Sequence, residues 1–134
     1  MKIIVCVDKS NGMLFGGRRQ SQDSILREKI LSVIGEQKLF LNEYSAKMFE
    51  NKKQLVVSED FLHEATENDF CFIENCEIAV ENVTEVYLFN WNRDYPADKY
   101  FPIDLKENFK KVKTENFAGS SHKKITFEIY QRRS

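Results

Sequence analysis

The chain has 134 residues, of which 42% are hydrophobic and 31% charged, and its formal net charge is -1. That length fits one domain with its own core and leaves no room for two full ones. The composition excludes a disordered chain, and the small net charge argues against nucleic acid or an anionic membrane surface as a whole-protein partner.

Residues 3–7 form an unbroken apolar run, Ile-Ile-Val-Cys-Val, closed by Asp8. Such a run predicts a strand buried on both faces, at the centre of an α/β sheet. It is too short for the apolar segment of a secretory signal, and no later stretch approaches the roughly 18 apolar residues of a membrane span. The expected location is therefore the cytoplasm, with no membrane partner. Asn11-Gly12 and Gly16-Gly17 mark turns in a flexible loop. Over 21–34, Leu26, Ile30 and Val33 recur at helical spacing, while Arg27, Glu28 and Lys29 take the wet side. Gly35 suits the C-terminal cap. Short strands at 39–41, 55–57 and 70–73 then alternate with short helices at 45–49 and 59–65. A strand over 86–91 follows, rich in aromatic and β-branched residues. Strands at 109–116 and 125–130, joined through Ala118-Gly119-Ser120-Ser121, read as an antiparallel hairpin. The order predicts one α/β domain with a mixed, mostly parallel sheet flanked by helices, and an antiparallel C-terminal hairpin at its edge.

Cys6, Cys71 and Cys76 show no C-x-x-C spacing, and Cys6 and Cys71 lie inside apolar runs, so they read as reduced core residues. His63 and His122 stand far apart and neither pairs with a nearby cysteine. No metal site is expected, and neither histidine is assigned a catalytic role.

Three stretches, taken in order, resemble dihydrofolate reductase. The first is Ile3 to Gly12, similar to that family's first strand and the glycine that opens its mobile loop. The second is Leu39-Phe40-Leu41-Asn42-Glu43-Tyr44-Ser45. The third runs from Val86-Tyr87-Leu88 through Asp98-Lys99-Tyr100-Phe101-Pro102 to a hairpin ending Thr126-Phe127-Glu128-Ile129-Tyr130-Gln131-Arg132-Arg133. The resemblance implies a dihydrofolate reductase-like sheet, shortened by about one βα unit and one later helix between Val57 and Val86.

The departures bear on function. The family's carboxylate at the start of the first helix hydrogen-bonds the pterin. Its nearest counterpart is Asp23, which fits only with a one-residue shift, since without a gap Ser24 takes that place. The local reading of Asp23 is a helix N-cap. The segment that shapes the pterin pocket is replaced by Phe15-Gly16-Gly17-Arg18-Arg19-Gln20, and a threonine that partners the carboxylate is replaced by Phe89. Where the family cradles the NADPH diphosphate on a Gly-Gly turn, this chain has Glu74-Asn75-Cys76-Glu77. Where it has an arginine and then a hydroxyl, this chain has Glu43 and then Ser45, so repulsion replaces attraction at a phosphate. Read locally, Ser45 is a helix N-cap.

Gly16-Gly17-Arg18-Arg19 before a helix is a candidate anion site for a phosphate or carboxylate, with Arg18, Arg19 and Ser45 as its binding residues. The other reading is a solvated loop. Trp91, Tyr95, Tyr100 and Phe101 read as packing for the loop before the hairpin, and the lysines of 106–113 as a wet strand face. The expected function is a divergent, small-ligand-binding or protein-binding domain without standard NADPH-dependent activity and with no resident cofactor. The alternative is a pterin-type reductase that uses NADPH, with Asp23 as its catalytic carboxylate and Arg18 or Arg19 on the cofactor phosphates. A structural role as a homodimer through the hairpin is a third expectation.

Overall fold

In the computed structural model, which describes residues 1–50 and 53–134, the central strand β1 (Lys2–Val7) pairs in parallel with a strand on each side. On one side lies β6 (Phe70–Phe72), followed by β4 (Leu39–Leu41) and β5 (Leu55–Val57), all parallel. On the other lies β7 (Glu85–Asn90), against which β10 (Ile125–Arg132) and then β9 (Phe109–Phe117) run antiparallel. The seven-stranded order is β5-β4-β6-β1-β7-β10-β9. The expected mixed, mostly parallel sheet with an antiparallel C-terminal edge is the observed one.

Alternation along β1 divides the core in two. Ile3, Val5 and Val7 join one buried cluster with Cys71, Ile73, Val86 and Leu88. Ile4 joins the other with Phe70, Phe72, Phe89 and Phe127. Helix α1 (Ser24–Ile34) covers this second face through Leu26, Ile30 and Ile34, each worth about 1.5–3 kcal/mol of apolar burial. The first face has no comparable helix among the described residues. Phe61 from the single turn α3 (Phe61–Glu64) covers it, with Phe101 and Ile103 from the loop before the hairpin.

Three local expectations are revised. The loop after β1 is a small second sheet of β2 (Gly12–Phe15), β3 (Arg18–Arg19) and β8 (Lys99–Tyr100). Helix α1 starts three residues later than its apolar spacing suggests, because Asp23 takes the cap. Helix α2 (Glu43–Ala46) is capped by Asn42, whose side chain accepts from Ser45 N at 3.0 Å, so Ser45 lies inside the helix and does not cap it. A further turn, α4 (Leu105–Asn108), gave no apolar periodicity and is set by the Asp104 cap. Gly35 closes α1 at φ 60° as expected.

Among the described residues no helix is long and apolar enough to cross a membrane, and no group of three or more His, Cys, Asp or Glu could hold a metal ion. Cys6, Cys71 and Cys76 are free thiols. Burial pushes the Cys71 thiol up to about 12.

Candidate functional site

Parallel strands β1, β4 and β6 all end on one edge of the sheet, where an open α/β fold ordinarily leaves a ligand crevice. Here that edge is filled by an ion pair. Arg19, delivered by β3, donates from Nε to Glu74 Oε2 at 2.9 Å and from Nη2 to Glu74 Oε1 at 2.8 Å. Glu74 lies two residues past the end of β6 and also accepts from Ser45 Oγ at 2.8 Å. The Arg19 guanidinium lies 4.5 Å from the centre of the Tyr44 ring, and Tyr44 OH accepts from Arg19 N at 2.9 Å. The Glu74 hydrogen bonds push the Arg19 pKa higher still. The fork geometry engages both Glu74 oxygens, and the carboxylate matches the guanidinium charge. Beside this pair a narrow cleft is walled by Ser21, Asp23, Arg27, Phe72 and Trp91, and its interior space is about 10 Å³, the least that one water needs.

A second buried carboxylate braces the loop that carries Arg19. Asp8 Oδ1 accepts from Ser10 N at 2.9 Å and Gly12 N at 2.8 Å. Its Oδ2 accepts from Gln20 Nε2 at 2.9 Å and Tyr95 N at 3.2 Å. Burial would raise the Asp8 pKa, but these donors outweigh it and lower the value. Gly12 is required there, since a Cβ would sit 2.6 Å from Ala97 Cβ and 2.8 Å from Asp8 Oδ2.

The third carboxylate, Asp23, joins the start of α1 to the loop between β9 and β10. Its Oδ1 accepts from Ile25 N at 3.0 Å, Leu26 N at 3.2 Å and Ser120 N at 2.9 Å. Its Oδ2 accepts from Ser121 N at 2.9 Å, Ser121 Oγ at 3.2 Å and His122 Nδ1 at 2.9 Å. Burial works to raise its pKa, yet the donors, led by the N–H groups of Ser121 and Ser120, hold it well below the usual carboxylate range. The far nitrogen of the same ring, His122 Nε2, lies 3.1 Å from Ser21 Oγ and 3.0 Å from Tyr95 OH. The buried imidazole is stacked on Trp91, ring centres 4.5 Å apart.

Of the residues singled out from the sequence, Arg19 and Ser45 come together, both on Glu74. Arg18 is exposed on β3, apart from them. Asp23 lines the cleft with its oxygens turned to the backbone and to His122. Phe89 is fully buried, stacked on Phe127 at 4.7 Å. Not legible from the sequence were the contacts among His122, Ser21 and Asp23 and the bracing role of Asp8. Asp23 and Ser21 stand 99 and 101 residues from His122, so no local spacing could have joined them to it.

No family model matches the sequence, and no curated protein matches it. Solved structures do match. One is dihydrofolate reductase from Enterococcus faecalis complexed with NADP(H) and RAB-propyl, at 14% identity and a TM-score of 0.68, covering 99% of this chain and 96% of that one. The chain therefore has a dihydrofolate reductase-like fold.

Proposed function

We propose that this chain is a divergent dihydrofolate reductase-fold domain that binds a small ligand or a protein partner and lacks standard NADPH-dependent reductase activity. The observation that carries this reading is the two-pronged Arg19–Glu74 pair, joined by Ser45, across the end of β6. A dinucleotide needs close backbone approach and unpaired donors at its diphosphate. At this edge the arginine is already neutralised, a carboxylate stands in the way, and the interior space admits about one water.

The cleft wall includes Asp23, which keeps the pterin-reductase alternative in view. Against it, six donors already occupy the Asp23 oxygens, and a carboxylate has about four lone-pair sites. Little acceptor capacity is left for a pterin.

The test is a titration with NADPH followed by cofactor fluorescence, and by absorbance after dihydrofolate is added. The expected result is no binding at millimolar cofactor and no oxidation. Micromolar binding with dihydrofolate-dependent oxidation overturns the reading in favour of a reductase.

A further inference from the structure

The geometry points to Ser21 as an activated serine nucleophile toward a carboxylic ester, with His122 as its general base and Asp23 as the carboxylate that positions the imidazole. This goes beyond the binding reading and does not depend on it, because cofactor binding and serine reactivity are separate measurements.

His122 stands between Asp23 and Ser21, which lie 99 and 101 residues from it, in the order that such chemistry requires, which is recognised by geometry and not by chain position. Asp23 Oδ2 is 2.9 Å from His122 Nδ1, and His122 Nε2 is 3.1 Å from Ser21 Oγ. An ionised carboxylate only accepts, so in the neutral ring Nδ1 carries the proton and Nε2 presents its lone pair to a hydroxyl. Stacking on Trp91 and burial fix the plane of the ring. The Ser21 hydroxyl has no other hydrogen-bond partner among the described residues. Ser21 is half-buried and lines the cleft, whereas the side chains of its base and carboxylate are buried. Arg27 lines the same cleft and has no ion-pair partner among the described residues, which gives the site a cation to meet developing negative charge. Tyr95 OH shares Nε2 at 3.0 Å, and since the nitrogen has one lone pair the two hydroxyls alternate on it.

In the reaction Ser21 Oγ bonds to the ester carbonyl carbon as its proton passes to His122 Nε2. The bond from that carbon to the alcohol oxygen breaks, and the imidazolium returns the proton to the leaving oxygen. Water, losing its proton to the same nitrogen, then attacks the acyl-serine. The carbon–Oγ bond breaks, Oγ takes the proton back, and the carboxylic acid leaves. The interior holds about one water and no acyl group, so the ester carbonyl meets Ser21 Oγ from the open side of the cleft.

A fluorophosphonate probe tests the nucleophile directly. Ser21 Oγ bonds to phosphorus, the P–F bond breaks, and fluoride leaves as the proton goes to His122. The expected result is one adduct per folded chain by intact mass, mapped to Ser21 and absent after denaturation. Ser21→Ala, which removes a single oxygen, should abolish it, and His122→Gln should slow it by about 100-fold or more. Asp23→Asn should lower the maximal labelling rate without changing the probe concentration that gives half of it, a split that mere loosening of the fold would not produce. No adduct on the native chain, an adduct on another side chain, or a folded His122→Gln protein that reacts as fast as the parent overturns the proposal. If His122→Gln does not fold, the mapped adduct and its loss in Ser21→Ala decide it.

Discussion

Asp23 Oδ2 and His122 Nδ1 lie 2.9 Å apart although 99 residues separate them. The contact fastens the first turn of α1 to the loop between the last two strands, and both side chains are buried. Its strength depends on Asp23 being ionised.

The first prediction concerns acid stability. The Asp23 pKa in the folded chain lies below its unfolded value of about 3.9. As pH falls, the unfolded chain takes up the proton first, so this contribution is whole at neutral pH and is lost progressively below about pH 4. Asp23→Asn should cost about 2 kcal/mol at pH 7. Urea unfolding of both proteins from pH 7 down to pH 2.5 checks this. The gap between them should narrow in acid, and a constant gap would remove the ionised carboxylate from the account.

Gly119 sits against the same carboxylate. A Cβ there would come within 2.8 Å of Asp23 Cγ and 2.9 Å of Oδ1. Gly119→Ala must displace either the loop or the carboxylate, and overpacking of this kind costs about 1–3 kcal/mol. Thermal unfolding should give a clearly lower midpoint, together with faster amide exchange at Ser120 and Ser121. An unchanged midpoint would mean that the loop shifts at no cost.

The Arg19–Glu74 pair should behave as a buried pair does. Glu74→Leu alone leaves a guanidinium unpaired at the strand ends and should cost about 3 kcal/mol. Adding Arg19→Met should recover most of that loss, because two apolar side chains of similar volume satisfy each other. A double-mutant cycle by chemical denaturation measures the coupling. If the double variant is as unstable as the single one, Glu74 acts through Ser45 and not through Arg19.

Phe127 faces Phe89 across the β7–β10 pair, with ring centres 4.7 Å apart, and both are buried. Phe127→Ala should cost about 3–5 kcal/mol through lost burial and the cavity left behind. A drop below 1 kcal/mol would indicate that the Phe117 and Tyr87 rings collapse into the space, which comparison of near-ultraviolet spectra would reveal.

The sheet was legible because its signals are local. The apolar run of β1, the strands at Leu39–Leu41 and Leu55–Val57, and the two long C-terminal strands each announce themselves within a few residues. Hydrophobic periodicity also set the buried face of α1, and Gly35 marked its end. Short elements gave no such signal. One turn of helix or two residues of strand is too brief for a period, so β3, β8 and α4 depend on caps and on partners that arrive later in the chain. The site lies at the far end of that scale. Asp23, Arg19 and Ser45 were visible as residue types with plausible local roles. That Arg19 and Ser45 converge on Glu74, and that Asp23 and Ser21 meet His122, follows from strands and loops brought together over 29 to 101 residues. Backbone propensity acts over a few residues, whereas hydrogen bonds between side chains form wherever the sheet order places them. The sequence by itself therefore determined the sheet and the candidate residues, and the tertiary structure alone decided which of them touch.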